Sequence, residues 1–230
     1  MRTLAIGDIH GCFTALTTLE REMAFTDEDL IVCVGDYVDR GPDSKSVIDW
    51  LIERRRRGGR LVALQGNHEL MMLWSRFDSV SQKSWMSSFV GGDATLRSYG
   101  TEHSMGLLRD VPDAHWDFIV NHAMRYHETE THIFVHASIV PDVAMDEQKD
   151  EVLFWERFAP LPPHCSGKPV ICGHTAQHNG VPAVATHGIC IDTWAHGGGW
   201  LTCLDVATGE YGQANQLGEF RTGTLTTGAA

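Results

Sequence analysis

Within residues 1–74 the apolar positions follow two periods in turn. Leu4-Ala5-Ile6, Leu30 to Val34 and Leu61 to Leu64 are short continuous apolar runs, as expected for strands buried on both faces. Between them Phe13, Leu16, Leu19 and Met23 recur at helical spacing, and Val47, Ile48, Leu51 and Ile52 do so again. Pro42 suits the first turn of the second helix and Gly58-Gly59 its end. The run Arg54 to Arg57 falls in its last turn, where cations meet the negative end of the helix dipole, so it reads as a solvated helix face. The third apolar run leads into His68-Glu69-Leu70-Met71-Met72-Leu73-Trp74, a turn that opens a helix. Three successive strand-turn-helix units predict an α/β fold with a parallel or mixed sheet covered by helices.

From Ser75 to Tyr126 the strand pattern disappears, and residues 75–126 read as a helical and looped insertion over the strand edge. Strand character returns at Thr131 to Val135, Pro169 to Cys172, Gly188 to Ile191 and Trp200 to Val206. This spacing looks too short for full crossover helices and predicts a more antiparallel second sheet packed on the first. After Gly212 the chain is polar and weakly patterned, so residues 1–212 read as one domain and 213–230 as a loose tail.

Composition narrows the class. With 230 residues, 43% of them hydrophobic, the chain can bury one large core. A formal net charge of −12 argues against a nucleic-acid partner, which would require a basic face. Six cysteines without a C-x-x-C pair, three of them inside apolar runs, read as reduced thiols. With Met1-Arg2 leading straight into a strand and no long apolar stretch, the expectation is a cytoplasmic monomer that neither crosses nor binds a membrane.

The chemistry lies where the strands end. Gly7-Asp8-Ile9-His10-Gly11, Gly35-Asp36-Tyr37-Val38-Asp39-Arg40-Gly41 and Gly66-Asn67-His68-Glu69 each follow an apolar run directly, on the carboxyl edge where open α/β sheets place their sites. Asp8 and His10, two apart, can aim at one point, Asp36 can offer one oxygen to each of two ions, and Asn67 adds an amide oxygen. His136 and His174 follow later strand-like runs. Mixed carboxylate, amide and imidazole ligation suits two divalent ions of the manganese, iron or zinc type better than calcium. Two such ions about 3.5–4 Å apart could share a water, lower its pKa and direct it at phosphorus. Arg40 has the planar fork that matches a phosphate, and Arg157 is a second candidate. His68, next to Asn67, can reach the centre without binding it and act as general acid, with Asp39 holding its tautomer.

These ordered motifs, with His136 and Gly-His174-Thr175, resemble the metal-dependent phosphoprotein phosphatases of the calcineurin-like metallophosphoesterase type, above all the compact bacterial and bacteriophage lambda-type serine/threonine phosphatases. The match runs from residue 7 to about 206. The resemblance implies an α/β sandwich of two mixed sheets flanked by helices. It also implies that Asp8, His10 and Asp36 bind one metal, manganese first, and Asp36, Asn67, His136 and His174 the other. Arg40 and Arg157 become phosphate contacts, Asp39 and His68 the acid pair, and a phosphoprotein or phosphopeptide the substrate. Three departures stand out: Gln65 where many relatives carry Arg, Ala137-Ser138 after His136 in place of Ala-Gly, and Trp194 where relatives often place Gly.

Other residues have plainer readings. His178 precedes the turn Asn179-Gly180 and reads as surface, and His132 lies roughly 13 Å along a strand from His136. His122 and His196 are more readily pocket or surface residues than substrate contacts. Met71, Met72 and Trp74 read as packing beneath the site, and Trp85, Trp116 and Phe118 as packing of the insertion. Two functional alternatives remain open: dinucleoside tetraphosphate hydrolysis and a metal-stabilised binding module without catalysis. Relatives of the first kind are usually longer, and many lack a counterpart of Asp39.

Overall fold

A computed structural model describes residues 1–225. The first half is built as read: β1 (Thr3–Ile6), α1 (Phe13–Glu22), β2 (Leu30–Cys33), α2 (Ser44–Arg56), β3 (Leu61–Leu64) and α3 (Asn67–Trp74). Asp43 caps α2 by accepting the Ser46 N–H, and Arg54, Arg55 and Arg56 occupy its last turn. The insertion holds three short helices, α4 (Ser79–Trp85), α5 (Gly92–Ser98) and α6 (Asp113–Asp117), and ends in β4 (Ala123–Met124). There follow β5 (Tyr126–Glu128), β6 (Ile133–Val135), α7 (Asp150–Trp155), β7 (Val170–Cys172), β8 (Ala183–Ala185), β9 (Gly188–Cys190), β10 (Leu201–Asp205), β11 (Glu210–Ala214) and β12 (Phe220–Thr224).

Two mixed sheets result. The first has the order β12-β11-β10-β1-β2-β3-β4, the second β5-β6-β7-β9-β8. Strand periodicity sorts the core into layers. Leu4, Ile6, Ile31 and Cys33 face α1 and α2, while Ala5 and Val32 face Phe134 and Ile171 in the seam between the sheets. Ile133, Val135, Val170 and Cys172 pack outward with Leu153 and Phe154 of α7. The central strands of both sheets are covered on both faces, which is why they read as unbroken apolar runs.

Two expectations fail here. The second sheet is not mainly antiparallel: β6, β7 and β9 run parallel, with only β5 and β8 antiparallel at its edges. Residues 136–169, including α7, and 173–187 supply the long return connections that parallel pairing needs. The late strand β10 leaves this half altogether and pairs antiparallel with β1. Nor is the stretch after Gly212 a loose tail, because β11 and β12 form a hairpin that extends the first sheet. Its buried Gln213 gives Nε2–H to Thr202 Oγ1 (2.8 Å) and to the Gly180 carbonyl (3.1 Å), and Tyr211, Ala214 and Phe220 add apolar contact at irregular spacing. The hairpin is held by hydrogen bonds, which leave no hydrophobic period to read. Residues 226–230, the end of the expected tail, lie outside the described residues.

The amino end is tied down by an ion pair whose carboxylate is buried and whose guanidinium is partly exposed. Asp29 accepts Arg2 Nε–H (3.1 Å) and Nη2–H (2.6 Å) and the Thr26 N–H (2.9 Å). The Arg2 guanidinium holds this carboxyl well below its ordinary value of 3.8. Replacing Asp29 by Asn should therefore cost about 1–2 kcal/mol at neutral pH, the worth of charge-assisted hydrogen bonds discounted for the exposed Arg2. A depressed native pKa means that this contribution is complete above the ordinary value and is lost as pH falls through the native one. The gap between wild-type and D29N urea midpoints should thus be constant near neutrality and close as the acid is increased below about pH 4.

Candidate active site

The parallel strands β1, β2, β3, β6 and β7 deliver the singled-out residues to one edge: Asp8 and His10, Asp36, Asn67, His136 and His174 respectively. The turns that carry them are strained. His10, Asp36, Asp39, Arg40 and His174 all have positive φ, from 44° at His10 to 72° at Asp39, and each left-handed non-glycine residue costs on the order of 1–3 kcal/mol. Glu69, fully buried, holds the central turn by accepting the N–H groups of Asp36 (2.9 Å), Tyr37 (2.8 Å), Val38 (3.2 Å) and Gly66 (2.9 Å). Glycine at 35 is a steric need, since a Cβ there would stand 2.8 Å from His136 Nδ1 and from the Gly66 nitrogen.

Asp36 sits between two groups of donors. Its Oδ2 lies 3.4 Å from His10 Nε2 and 3.9 Å from His68 Nε2, and its Oδ1 lies 3.4 Å from His136 Nε2. Ligand atoms of His10, Asp36 and His68, and separately of Asp36, His136 and His174, fall within 4.8 Å of one another. Asn67 Oδ1 joins the second group, 2.9 Å from His136 Nε2 and 3.1 Å from His174 Nδ1. His10 Nδ1 gives its proton to the Val38 carbonyl (2.8 Å) and His136 Nδ1 to that of Val34 (2.9 Å), so both Nε2 lone pairs face inward.

Electron pairs that converge in a dry site need a positive charge between them. Protons do not supply it: burial pulls His10 and His136 below the ordinary imidazole value, and burial together with His136 brings His174 down to about 4. Burial pushes Asp36 up, but the surrounding imidazoles outweigh it and hold this carboxyl far below its usual range. Asp8 bears a second mark of a missing cation. One oxygen accepts the His174 N–H (2.9 Å) while the other, buried, has no hydrogen-bond partner among the described residues. Burial and then the charges of Asp192 and Asp36 drive the Asp8 carboxyl well above its ordinary value. The donor set fits two divalent ions that share Asp36.

Beside this cluster His68 and Asp39, both buried, form a pair with Nδ1 to Oδ2 at 2.7 Å. Burial works against a charge on His68, yet the carboxylates of Asp36 and Asp39 prevail and raise its pKa. Arg40 is exposed, with Nη1 at 2.9 Å from His10 Nε2 and 3.4 Å from His196 Nε2. Arg157 stands apart, exposed on the loop after α7, which is anchored to the site by Phe158 N–H to Thr175 Oγ1 (2.8 Å).

Several residues take places the sequence did not announce. Trp74 does not pack beneath the site: it is 47% exposed and lies parallel to Trp155 at 6.1 Å. His196 lies against His10, ring centres 4.9 Å apart, whereas His122 turns to Asp117 in α6, its Nε2 3.3 Å from Oδ2. Asp192, at the end of β9, accepts the Trp194 N–H (3.0 Å) and is pushed up to about 6 by burial. Its position after the run Gly188 to Ile191, like that of Asp36 after β2, was the available signal.

Three likenesses to known proteins accord with this geometry. Serine/threonine-protein phosphatase 1 of Salmonella typhimurium is 32% identical over 155 residues, 66% of this chain and 67% of that one. A symmetrical bis(5'-nucleosyl)-tetraphosphatase of Nitrosomonas europaea is 30% identical over 148 residues, 64% of this chain but only 48% of that one, so the chain spans about half the length of that relative. A solved structure provisionally assigned as a diadenosine tetraphosphatase superposes with a TM-score of 0.65 at 20% identity, covering 99% of this chain and 95% of that one, a likeness of fold. The profile of one family, described as calcineurin-like phosphoesterase, matches residues 1–187. The groups gathered around Asp36 at the strand edge are candidate ligands for divalent metal, and the chain belongs to the calcineurin-like phosphoesterase family.

Proposed function

We propose that the protein is a metal-dependent phosphomonoesterase acting on phosphoserine and phosphothreonine in proteins or peptides, with phosphotyrosine and small aryl phosphates as further substrates. The observation that carries this reading is the buried Asp39–His68 pair beside the metal cluster. An alkoxide leaving group is about as basic as hydroxide and needs a proton as the bond to phosphorus breaks, whereas a departing nucleotide phosphate, with a pKa near 6, needs none. An acid held this carefully has a use in monoester cleavage.

In this reading Asp8, His10 and Asp36 hold one ion, and Asp36, Asn67, His136 and His174 the other, with manganese the first choice and iron or zinc the alternatives. When bound, such a pair supplies Lewis-acid charge to the phosphoryl oxygens and acidifies water. His68 presents Nε2 to the site, 3.9 Å from Asp36 Oδ2, and gives its proton to the leaving oxygen. Asp39, on Nδ1, steadies the ring's charge and orientation. Arg40 turns its fork to the phosphate oxygens, and Arg157 meets the substrate at the rim. Five buried, unpaired cysteines support a reducing cytoplasm, and none of the described helices is long and apolar enough to cross a membrane.

A second reading, hydrolysis of dinucleoside tetraphosphates, draws on the 30% identity to the Nitrosomonas europaea enzyme. Turnover of a phosphoserine peptide and of diadenosine tetraphosphate by the manganese-loaded protein separates the two. The expected result is a higher kcat/KM on the peptide; preference for the dinucleotide overturns the first reading, and turnover of neither leaves a binding module.

A further inference from the structure

Two side chains of the insertion reach through the fold to the far side of the acid pair. Trp85, the last residue of α4, is 1% exposed and directs its indole N–H at both oxygens of Asp39, at 3.0 and 2.9 Å. Thr95, in α5 and wholly buried, donates its hydroxyl to Asp39 Oδ1 (2.7 Å) and accepts the Asp39 backbone N–H (2.7 Å). Ser44 Oγ, at the start of α2, lies 3.1 Å from that hydroxyl and accepts the same N–H at 3.2 Å.

The cradle is packed tightly. A Cβ on Gly92 would run into the Trp85 ring, so the start of α5 packs directly on the indole. The adjoining Gly91 carbonyl accepts the Arg40 N–H (3.1 Å), so one short stretch of the insertion supports both ends of the Asp39-Arg40 turn. Asp39 itself has φ 72°, a conformation that persists only where surroundings over-determine it. A carboxylate pivots about its last torsion. With His68 on Oδ2, Thr95 on Oδ1 and Trp85 across both, that pivot is closed and Oδ2 stays in line with His68 Nδ1. Hydrogen bonds to a charged acceptor in a dry interior are the strong kind.

We propose that Trp85 and Thr95 are positioning residues for the general acid: they lock the Asp39 carboxylate against His68 and make the insertion a working part of proton delivery to the leaving group. The activity arm of the test rests on the proposed monoesterase reading; the spectroscopic arm does not.

The full chain, loaded with zinc and labelled with 15N at histidine, shows the His68 Nδ1–H proton directly. In Trp85→Phe and Thr95→Val this resonance should move upfield and exchange faster, whereas Thr95→Ser, which keeps the hydroxyl, should retain the wild-type signal. An unmoved resonance in both T95V and W85F overturns the proposal, and the near-isosteric T95V decides it alone if W85F fails to fold. With manganese, kcat on a phosphoserine peptide should fall about tenfold in W85F and T95V, the size expected for one hydrogen bond to a charged group. On p-nitrophenyl phosphate, whose leaving group departs without a proton, the fall should be less than about twofold, with KM unchanged on both. Equal losses on the two substrates overturn the proposal. A wild-type protein that hydrolyses neither monoester overturns the monoesterase reading instead, and the resonance still decides the positioning role.

Discussion

Asp36→Asn should release the metal pair and reduce turnover by about a thousandfold or more. Its two oxygens face different groups, Oδ2 toward His10 and Oδ1 toward His136, and an amide offers only one acceptor in place of two. The other side of the asparagine would turn N–H groups toward a cluster of ligands, which repels a cation as surely as it fails to bind one. Metal stabilisation of a phosphoryl transition state is worth several kcal/mol, and at about 1.4 kcal/mol per factor of ten this gives the stated loss. The substitution is nearly isosteric, so the fold should persist. Metal analysis of D36N after manganese reconstitution checks the claim, and two retained ions per chain would show that Asp36 does not bridge.

His68→Asn should have the opposite profile, full metal content with most turnover lost. Positioned acids contribute about 10²–10⁴-fold, and that is the expected fall in kcat on a phosphoserine peptide. On p-nitrophenyl phosphate the loss should be much smaller. Asn at 68 can still donate an amide N–H to Asp39, which limits disturbance of the buried pair, but it has no acidic proton to give at the position of Nε2. A comparable loss on both substrates, or loss of metal, would place His68 among the ligands, as its membership of the first three-residue group allows.

The site was more legible than the fold that carries it. Asp8, His10, Asp36, Asn67, His136 and His174 each stand within a few residues of the end of an apolar run, and a strand end is a local property: the run is short, it stops, and the polar residues that follow lie near the sheet edge. The same logic could have reached Asp192. Glu69, Trp85 and Thr95 were beyond it, because each acts on a residue distant in sequence, and nothing local distinguishes a tryptophan that fills a core from one whose N–H meets a carboxylate. Sheet pairing escaped for a related reason. Apolar content marks a buried strand but carries no direction, so β6, β7 and β9 gave no sign that they run parallel. The β11-β12 hairpin, held by Gln213 and backbone ladders, had no apolar period to betray it.

The amino-acid sequence by itself determined which residues could hold metals and that those candidates would meet at strand ends, since these follow from side-chain chemistry and from the period of short apolar runs. Only the tertiary structure decided that Asp36 lies between both donor groups, that Asp8 is left with an unpartnered oxygen, and that the insertion grips Asp39 from behind. Those outcomes depend on distances between segments far apart in the chain, which long-range packing sets and local pattern does not encode.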